Sequence, residues 1–578
     1  MPNINKRPSH VAKIGRTPHH MTPTLKFTSS VGHLLPVFYD FLNPNESIRL
    51  SSELATKTVR PFKSPALLLC EEDIDYFYVP MTLLYTLFET TYYNISDIHQ
   101  SVFDESQYTD DLVGANGMPF PTFSAKQIVD SFGSARNNLD NPNRTQDLAY
   151  VPNVQNAYRL MQLLGYSTKW LQFDDGDQYQ ENLADYKFDP WMAAAYQAIF
   201  YSYYRLSDWT TNDPMAYNMD QFYSSKSVSD TVVKKLFAIH YRPYKSDLFT
   251  NVYPSPLVSG NNVGILTDWL LDEASVRQFV GDDKSNMDTF VYQNKTIGSL
   301  DAVDTAGMRG MFAMEKLLEI TRRAGKHVDD QTLAHFGIKP KERLAGEVVY
   351  LGSHSTMLQM GEIEATATSS NSTGTSVLGE LAGNAKSYMK PQKPIEYTST
   401  EHGIIMGIFS MRPAADYSAD VALDKLNVLG NFRSLYYPEY DNLGMQPLYG
   451  YQAAFNPMTA QDSKKPNRLL SWQYRYSEFK QKYNRTAGAL CDTLDFWTVT
   501  RNSEVVTDYR EGWNMYVSPS LLNSVLEYQF PYSVNTVNVP PTDFSEIANA
   551  FVYDPFAHMI AFNYTKVSTM STYSLSKL

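Results

Sequence analysis

The chain has 578 residues, of which 43% are hydrophobic and 19% are charged, and its formal net charge at pH 7 is −13. A chain this long exceeds what one compact core usually holds, so we expect several modules or one heavily elaborated domain. Its two cysteines, Cys70 and Cys491, exclude a disulfide framework and favour a reducing compartment. The sequence has no apolar run of about 18 residues, which excludes a transmembrane helix, and no N-terminal apolar segment that would direct secretion.

The positive charge is concentrated at the N-terminus. Residues 1–39 contain five basic and no acidic residues, so this segment carries +5 and the remainder carries −18. Residues 1–33 are rich in Pro, His and Thr and lack hydrophobic periodicity, which predicts an extended basic arm. Such an arm is either an ordinary solvated tail or a salt-sensitive contact with nucleic-acid phosphates. The candidate nucleic-acid-binding residues are Lys6, Arg7, Lys13, Arg16 and Lys26.

The β-core is predicted to begin at residue 34, and residues 34–578 are interpreted as one elaborated domain. Aromatic residues make up 13% of the chain, which favours β-structure with large buried contacts. Residues 74–80 alternate so that Ile74, Tyr76 and Tyr78 share one face of a strand. Pro80 is expected to end that strand.

A loop-rich insertion is predicted at about residues 111–256, with one strong helix at 190–206. Asp189 is placed to cap this helix, and Pro190 suits its first position. The helix is apolar on most sides, so we expect it to be buried under other elements. The acidic stretch 174–181 lacks the spacing of a calcium-binding loop, so a solvated acidic loop is the preferred interpretation.

Three further insertions are predicted. Residues 257–304 read as a variable loop that is a candidate for surface exposure. Residues 305–324 form a predicted helix with methionines on its apolar positions, two arginines in its last turn and Gly325 just beyond. Residues 365–393 consist largely of Ala, Thr, Ser, Asn and Gly, which is typical of a low-complexity loop or linker.

The segment 397–412 predicts the central strand of the β-core. A polar turn precedes Gly403, and a nearly unbroken apolar run follows from Ile404 to Met411. This run is too short for a membrane span and has no polar face, which is typical of a strand covered on both faces. Glu401 and His402 precede the strand, either as an acid–base pair or, as we prefer, as polar caps of the strand entry.

The sequence contains none of the common motifs for dinucleotide or phosphate binding, zinc-protease chemistry or a nucleophile elbow. Paired carboxylates are frequent in so acidic a chain and do not locate a site. We therefore expect no catalytic residue, no metal site and no cofactor. Residue patterns alone indicate a large, aromatic-rich β-protein with two buried helices and a basic arm, and they do not indicate its function.

An ordered series of segments resembles the major capsid protein of the microvirus family, the small icosahedral single-stranded-DNA bacteriophages, in its gokushovirus-like form. The stretch TEHGII at 400–405 carries the most recognisable part of the resemblance. The other segments, taken in order, are GHLLPV (32–37), NPNES (43–47), DYFYVP (75–80), AYQ (195–197), YYR (203–205), KSDLFT (245–250), YPSP (253–256), HFG (335–337), YLG (350–352), QYRYSEFK (473–480) and LDFW (494–497). The chain differs from the gokushovirus pattern by a long Asn/Asp-rich insertion at about 135–188.

The resemblance implies a mainly β fold, the eight-stranded viral jelly roll, an antiparallel β-sandwich with long loop insertions that contain a few helices. It implies a structural virion protein without catalysis, sixty copies of which close into a T=1 icosahedral shell around a circular single-stranded DNA genome. Assembly in the bacterial cytoplasm follows, with the basic arm facing the capsid interior. The implied partners are further copies of the chain, the genome, an internal scaffolding protein, a DNA pilot protein, a small basic DNA-binding protein and a host receptor contacted by outer loops.

The alternative hypothesis is a β-rich carbohydrate-binding protein or glycoside hydrolase. Surface tyrosines and paired carboxylates are the features that such a protein would use. The missing secretion segment and the basic arm argue against this alternative.

Overall fold

The computed structural model describes a large part of the chain, and all structural statements below concern the described residues. These are 15–59, 61–88, 92, 120–132, 151–168, 183–222, 227–254, 316–317, 320–321, 323–324, 328–337, 347–364, 369–371, 374–376, 381–417, 436–441, 444–449, 469–501, 515–526 and 554–570.

The strands are β1 (Thr17–Met21), β2 (Thr24–Ser29), β3 (Leu35–Leu42), β4 (Ser47–Thr58), β5 (Cys70–Pro80), β6 (Phe123–Ser124), β7 (Lys187–Phe188), β8 (Val349–Met357), β9 (Gln359–Glu364), β10 (Ser369–Asn371), β11 (Gly374–Ser376), β12 (Leu381–Met389), β13 (Ile395–Thr398), β14 (Gly403–Pro413), β15 (Asp416–Tyr417), β16 (Met445–Tyr449), β17 (Leu469–Tyr474), β18 (Asn484–Arg485), β19 (Thr500–Arg501) and β20 (Phe556–Ser568). The helices are α1 (Met81–Leu84), α2 (Ala125–Phe132), α3 (Val151–Leu163), α4 (Trp191–Ile199), α5 (Asp230–Leu236), α6 (Val328–Phe336) and α7 (Ser477–Lys480). Short 3-10 turns lie at Pro214–Ala216, Asp220–Phe222, Pro438–Tyr440, Gly488–Cys491, Asp495–Trp497 and Pro519–Ser524.

The core is a sandwich of two antiparallel sheets. The larger sheet has the strand order β1-β20-β4-β12-β9, with β2 also paired to β20 and β13 also paired to β4. The smaller sheet has the order β3-β14-β5-β8. Apolar side chains from both sheets, among them Leu50, Ile405, Phe409 and Ile560, meet in one cluster between them, which we call the inner core. The prediction of a mainly β, antiparallel sandwich is confirmed.

Eight strands of this sandwich have the pairing order expected of a jelly roll. Along the chain they are β2, β3, β4, β5, β8, β12, β14 and β20. One sheet pairs four of them as β2-β20-β4-β12, and the other pairs the remaining four as β3-β14-β5-β8. The first strand of the series therefore lies beside the last, and the second lies beside the seventh. We infer a double-sheet jelly roll from this order.

Strand β14 lies at the centre of the smaller sheet, and both of its faces are buried. Ile404, Met406 and Ile408 point away from the larger sheet into a second cluster, the outer core. Ile405 and Phe409 point into the inner core. The predicted strand covered on both faces is therefore confirmed, and β5 likewise ends at Pro80 as predicted.

The variants Ile404→Val and Ile405→Val are each expected to lower the free energy of unfolding by about 1 kcal/mol. Each deletes one methylene group from a fully buried side chain, the first in the outer core and the second in the inner core. Urea denaturation of the unassembled subunit measures the effect. The control Leu69→Val alters an exposed side chain and is expected to change stability by less than about 0.5 kcal/mol. An Ile404→Val variant as stable as the control would contradict a strand buried on both faces.

A layer of helices covers the outer face of the smaller sheet, where α2, α3, α4 and α5 contribute to the outer core. The helix predicted at 190–206 is present as α4 and continues as a π-helical segment, Phe200–Tyr204. Asp189 Oδ1 accepts the backbone N–H of Trp191 at 3.3 Å, as expected of a capping side chain. Pro190, however, occupies the cap position and not the first helical position.

The predicted boundary between an extended arm and the domain at residue 33 is wrong. Strands β1 and β2 lie within the predicted arm and pair along one edge of β20. Val31 and His33 are buried. Polar and apolar residues alternate in the β2 sequence TLKFTS, but the segment has only two apolar side chains and follows Pro23, so the strand was not predicted. Residues 1–14 lie outside the described residues.

The interpretation of 365–393 as a low-complexity loop is also wrong for its described part. It contains the hairpin of β10 and β11 and the strand β12, which pairs with β4 and β9 in the larger sheet. Strand β12 buries Ala385, Ser387 and Met389 and exposes the residues between them. Small residues are needed here because a Cβ added to Gly383 would lie 2.2 Å from the backbone oxygen of Ser64.

The other predicted insertions fall mostly outside the described residues. This applies to 257–304, to the acidic stretch 174–181 and to most of 305–324, of which residues 316–317, 320–321 and 323–324 are helical. Helix α6, which the sequence did not predict, follows at Val328–Phe336 and exposes Leu333 and Phe336. Among the described helices, none combines the length and the apolar character needed to cross a membrane.

Candidate nucleic-acid interface

The structure places two of the five predicted nucleic-acid-binding residues. Arg16 immediately precedes β1 and Lys26 lies on β2, and both are exposed. Lys6, Arg7 and Lys13 lie outside the described residues. Because β1 and β2 form one edge of the larger sheet, the segment before Gly15 joins the domain at that edge.

Strand register brings further lysines to the same face as Lys26. In one row across the sheet, Lys57 of β4 lies directly opposite Lys386 of β12. In the next row, Lys26 lies opposite Met559, Met559 opposite Ala55, and Ala55 opposite Tyr388. Register partners in antiparallel strands point to the same side, so these side chains share the solvent-exposed face of the larger sheet. We call the set Lys26, Lys57, Lys386, Tyr388 and Met559 the basic face.

The lysines of the basic face lack ion-pair partners among the described residues. Like charges directly opposite in a sheet are destabilising, which describes Lys57 and Lys386. Within the part of the chain that the structure describes, none of the three lysines forms an ion pair with a carboxylate. Glu53 lies on the same face in the row beyond Ala55, where its carboxylate accepts a hydrogen bond from the Tyr388 hydroxyl at 3.2 Å. Further along the sheet, Arg49 pairs with Glu396 at 3.5 Å, and both are exposed.

Sequence reasoning missed Lys57 and Lys386. Both alternate with buried residues, Thr56 and Ser387, and this period-2 pattern was the available signal. Their juxtaposition depends on the pairing of β4 with β12, which a single sequence does not reveal.

Glu401 and His402 serve as structural caps, as the preferred interpretation predicted. The Glu401 carboxylate accepts a hydrogen bond from Thr82 Oγ1 at 2.7 Å, and its backbone oxygen accepts one from the Tyr78 hydroxyl at 2.6 Å. The backbone oxygen of His402 accepts the N–H of Met81 at 2.9 Å. These contacts fasten the start of β14 to the end of β5 and to α1, and the buried His402 ring packs among aromatic rings.

A mixed-charge cleft of about 490 Å³ lies at the other end of the smaller sheet. Arg242 contacts Asp73 at 3.0 Å and Asp75 at 3.3 Å, and Arg412 contacts Glu71 at 2.9 Å. Burial raises the pKa of Asp75, and the charge of Arg242 opposes that rise. Each of these three carboxylates therefore has an arginine partner.

No group of three or more His, Cys, Asp or Glu side chains with the geometry of a metal site occurs in the described ranges. The thiol of Cys70 is buried, and its burial raises its pKa well above the usual value, as expected of a structural cysteine.

The strand order of the sandwich is that of a jelly roll, an architecture found in viral capsid domains. Comparison with known proteins supports this class. The model of the family described as "Capsid protein (F protein)" matches residues 9–576. The chain belongs to this family of phage capsid proteins, so it is a structural virion component and not an enzyme, and the resemblance noted in the sequence is confirmed.

A similar curated protein is the capsid protein VP1 of Chlamydia phage 1. It is 22% identical to this chain over 213 residues, which cover 36% of this chain and 35% of VP1. The alignment thus spans about a third of the relative.

Proposed function

We propose that the chain is the major capsid protein of a single-stranded-DNA phage and that sixty copies close into a T=1 icosahedral shell around a circular genome. The observation that carries the proposal is the family match over residues 9–576, together with the jelly-roll strand order. Closed symmetric shells need repeated contacts between identical copies. Exposed apolar side chains supply candidate contacts near the start of β5, where Leu67 and Leu69 are 59% and 64% exposed and Met357 lies opposite Glu71.

The mass of purified particles tests the shell directly. Sixty copies of a 65.8 kDa chain predict about 4 MDa of protein. Sedimentation or light scattering, combined with the ultraviolet nucleic-acid ratio, is expected to find this mass together with DNA. A homogeneous, nucleic-acid-free monomer that does not assemble with the phage scaffold would contradict the proposal.

The predicted arm is proposed to lie inside the shell near the genome. Deleting residues 2–13 removes Lys6, Arg7 and Lys13 and leaves β1 and β2 intact. We expect this variant to form shells of normal size that package less DNA, because fewer phosphates are neutralised. The variant with only these three residues changed to Ser is the matched control for arm length and should show the same defect. Normal DNA content in both variants would contradict a role of the arm in packaging.

The remaining partners are proposed from the resemblance. They are an internal scaffolding protein, a DNA pilot protein, a small basic DNA-binding protein and a host receptor contacted by outer loops. Co-purification from infected cells, with each candidate identified by mass spectrometry, tests them one at a time.

A further inference from the structure

We infer that the basic face is the side of the sandwich that faces the enclosed genome and that it binds the phosphate backbone and bases of single-stranded DNA. The inference rests on the proposed shell, and it extends the nucleic-acid contact from the arm to residues of the folded domain. It also fixes which face of the subunit points inward.

The first argument is the uncompensated charge. The pairing of β4 with β12 places Lys57 directly opposite Lys386 on strands that lie about 5 Å apart. Lys26 lies one row away on the same face. A chain with a net charge of −13 nevertheless places no carboxylate in an ion pair with any of these lysines in its described portion. A polyanion that lies across the face removes the repulsion and gains affinity by releasing its counterions.

The second argument is the aromatic platform. Tyr388 is 59% exposed and lies in the row next to the lysine pair. Its hydroxyl donates a hydrogen bond to Glu53 at 3.2 Å, and most of its side chain is accessible to a stacking base. Exposed aromatic rings between basic side chains are how proteins bind single strands without sequence preference, because each base has a face that stacks. An acidic protein segment would gain from the lysines but would not need this ring.

The third argument is continuity with the arm. Lys26 belongs both to the predicted arm residues and to the basic face, and Arg16 precedes the strand at the same edge of the sheet. Among the described residues, the opposite side of the sandwich is partly covered by helices α2 to α5, and its mixed-charge cleft pairs arginines with carboxylates. A polyanion bound by the arm therefore reaches the basic face without crossing the subunit.

The test measures binding of a fluorescent oligothymidylate of about 20 nucleotides to the unassembled full-length subunit over a range of salt concentrations. The double variant Lys57→Thr/Lys386→Thr is expected to bind at least tenfold more weakly at low salt. The slope of log affinity against log salt should become shallower by about 1.4, which corresponds to about 0.7 for each lost phosphate contact. Thr suits a strand and relieves the repulsion, so the variant should be no less thermostable than the wild type.

The matched control is Lys126→Thr/Lys234→Thr, which removes two exposed lysines from α2 and α5 in the helical layer. This control should keep the wild-type slope. Tyr388→Ser should weaken binding roughly tenfold without changing the slope, since stacking involves no counterion. Equal slopes for the wild type and the Lys57/Lys386 variant would overturn the inference. So would tight binding of poly-glutamate that depends on the lysines but not on Tyr388, because an acidic protein would then be the partner.

Assembly of the same variants separates this inference from the proposed function. If the Lys57→Thr/Lys386→Thr variant bound DNA as tightly as the wild type and still formed particles of about 4 MDa, the proposed shell would stand and the role of the basic face would be contradicted. A subunit that binds DNA through the basic face but forms no closed particle would reject the shell alone.

Discussion

The variant His240→Phe is expected to lose about 2 kcal/mol less stability than the wild type when the pH is lowered from 7 to 5. Burial lowers the pKa of His240 to about 3, whereas an unfolded histidine titrates near its ordinary value of about 6.5. Between these values the unfolded chain binds a proton that the folded chain does not. Stability is therefore fully present above about pH 6.5 and is lost as the pH falls toward 3, by about 1.4 kcal/mol per pH unit.

The surroundings of His240 explain why it stays neutral. Its ring stacks on Phe200 with centroids 3.6 Å apart, so one face of the ring is covered by an apolar side chain, and the residue as a whole is partly buried. Gln197 donates both amide hydrogens, to the backbone oxygens of Leu236 and Ala238. Its Oε1 must therefore accept from His240 Nε2, 2.6 Å away, which fixes the tautomer with the proton on Nε2.

Urea denaturation of the unassembled wild type and variant at pH 7, 6 and 5 measures the difference. Phe keeps the stacking but leaves Gln197 Oε1 without its donor, which costs about 1–3 kcal/mol at every pH and does not alter the slope. Other titrating groups, including Glu72, whose burial raises its pKa and gives the opposite slope, cancel in the comparison. The exposed His20→Gln variant is the control and should follow the wild type. Parallel curves for the wild type and His240→Phe would contradict the prediction.

The parts of the fold that were predictable have a strong local signal. The run from Ile404 to Met411 has too many apolar side chains for any site other than the centre of a sheet, and β14 occupies that site. The helix at Trp191 has an apolar surface on most sides and a capping aspartate before it. In both cases the local sequence preference and the burial imposed by the tertiary structure favour the same element, so the local prediction was correct.

The parts that were not predictable depend on tertiary pairing. Strand β12 resembles a linker in sequence because most of its inward residues are small, and at Gly383 the backbone of Ser64 leaves no room for a side chain. Strands β1 and β2 were predicted to be an extended arm because their only partner among the described strands is β20, which lies at the far end of the chain. The basic face has the same origin, since Lys57 and Lys386 become neighbours only through the pairing of β4 with β12.

The variant Arg159→Met is expected to lower the free energy of unfolding by about 3–5 kcal/mol. Arg159, on α3, donates from Nη2 to both oxygens of Asp554 at 2.8 Å, and both side chains are at least nine-tenths buried. Thr28 donates to the same carboxylate at 2.7 Å, and Arg159 Nη1 donates to His33 Nδ1 at 3.2 Å. Removing the guanidinium leaves a buried carboxylate with only a hydroxyl partner.

This ion pair joins three parts of the chain that sequence analysis treated separately. Arg159 belongs to the insertion at 111–256, Thr28 to the predicted arm, and Asp554 to the entry of the last strand. The double variant Arg159→Met/Asp554→Leu provides the control, because replacing both charges with apolar side chains is often neutral. We expect it to recover most of the lost stability in urea denaturation. If the single variant unfolded at the wild-type urea concentration, Arg159 would not hold the helical insertion to the sandwich.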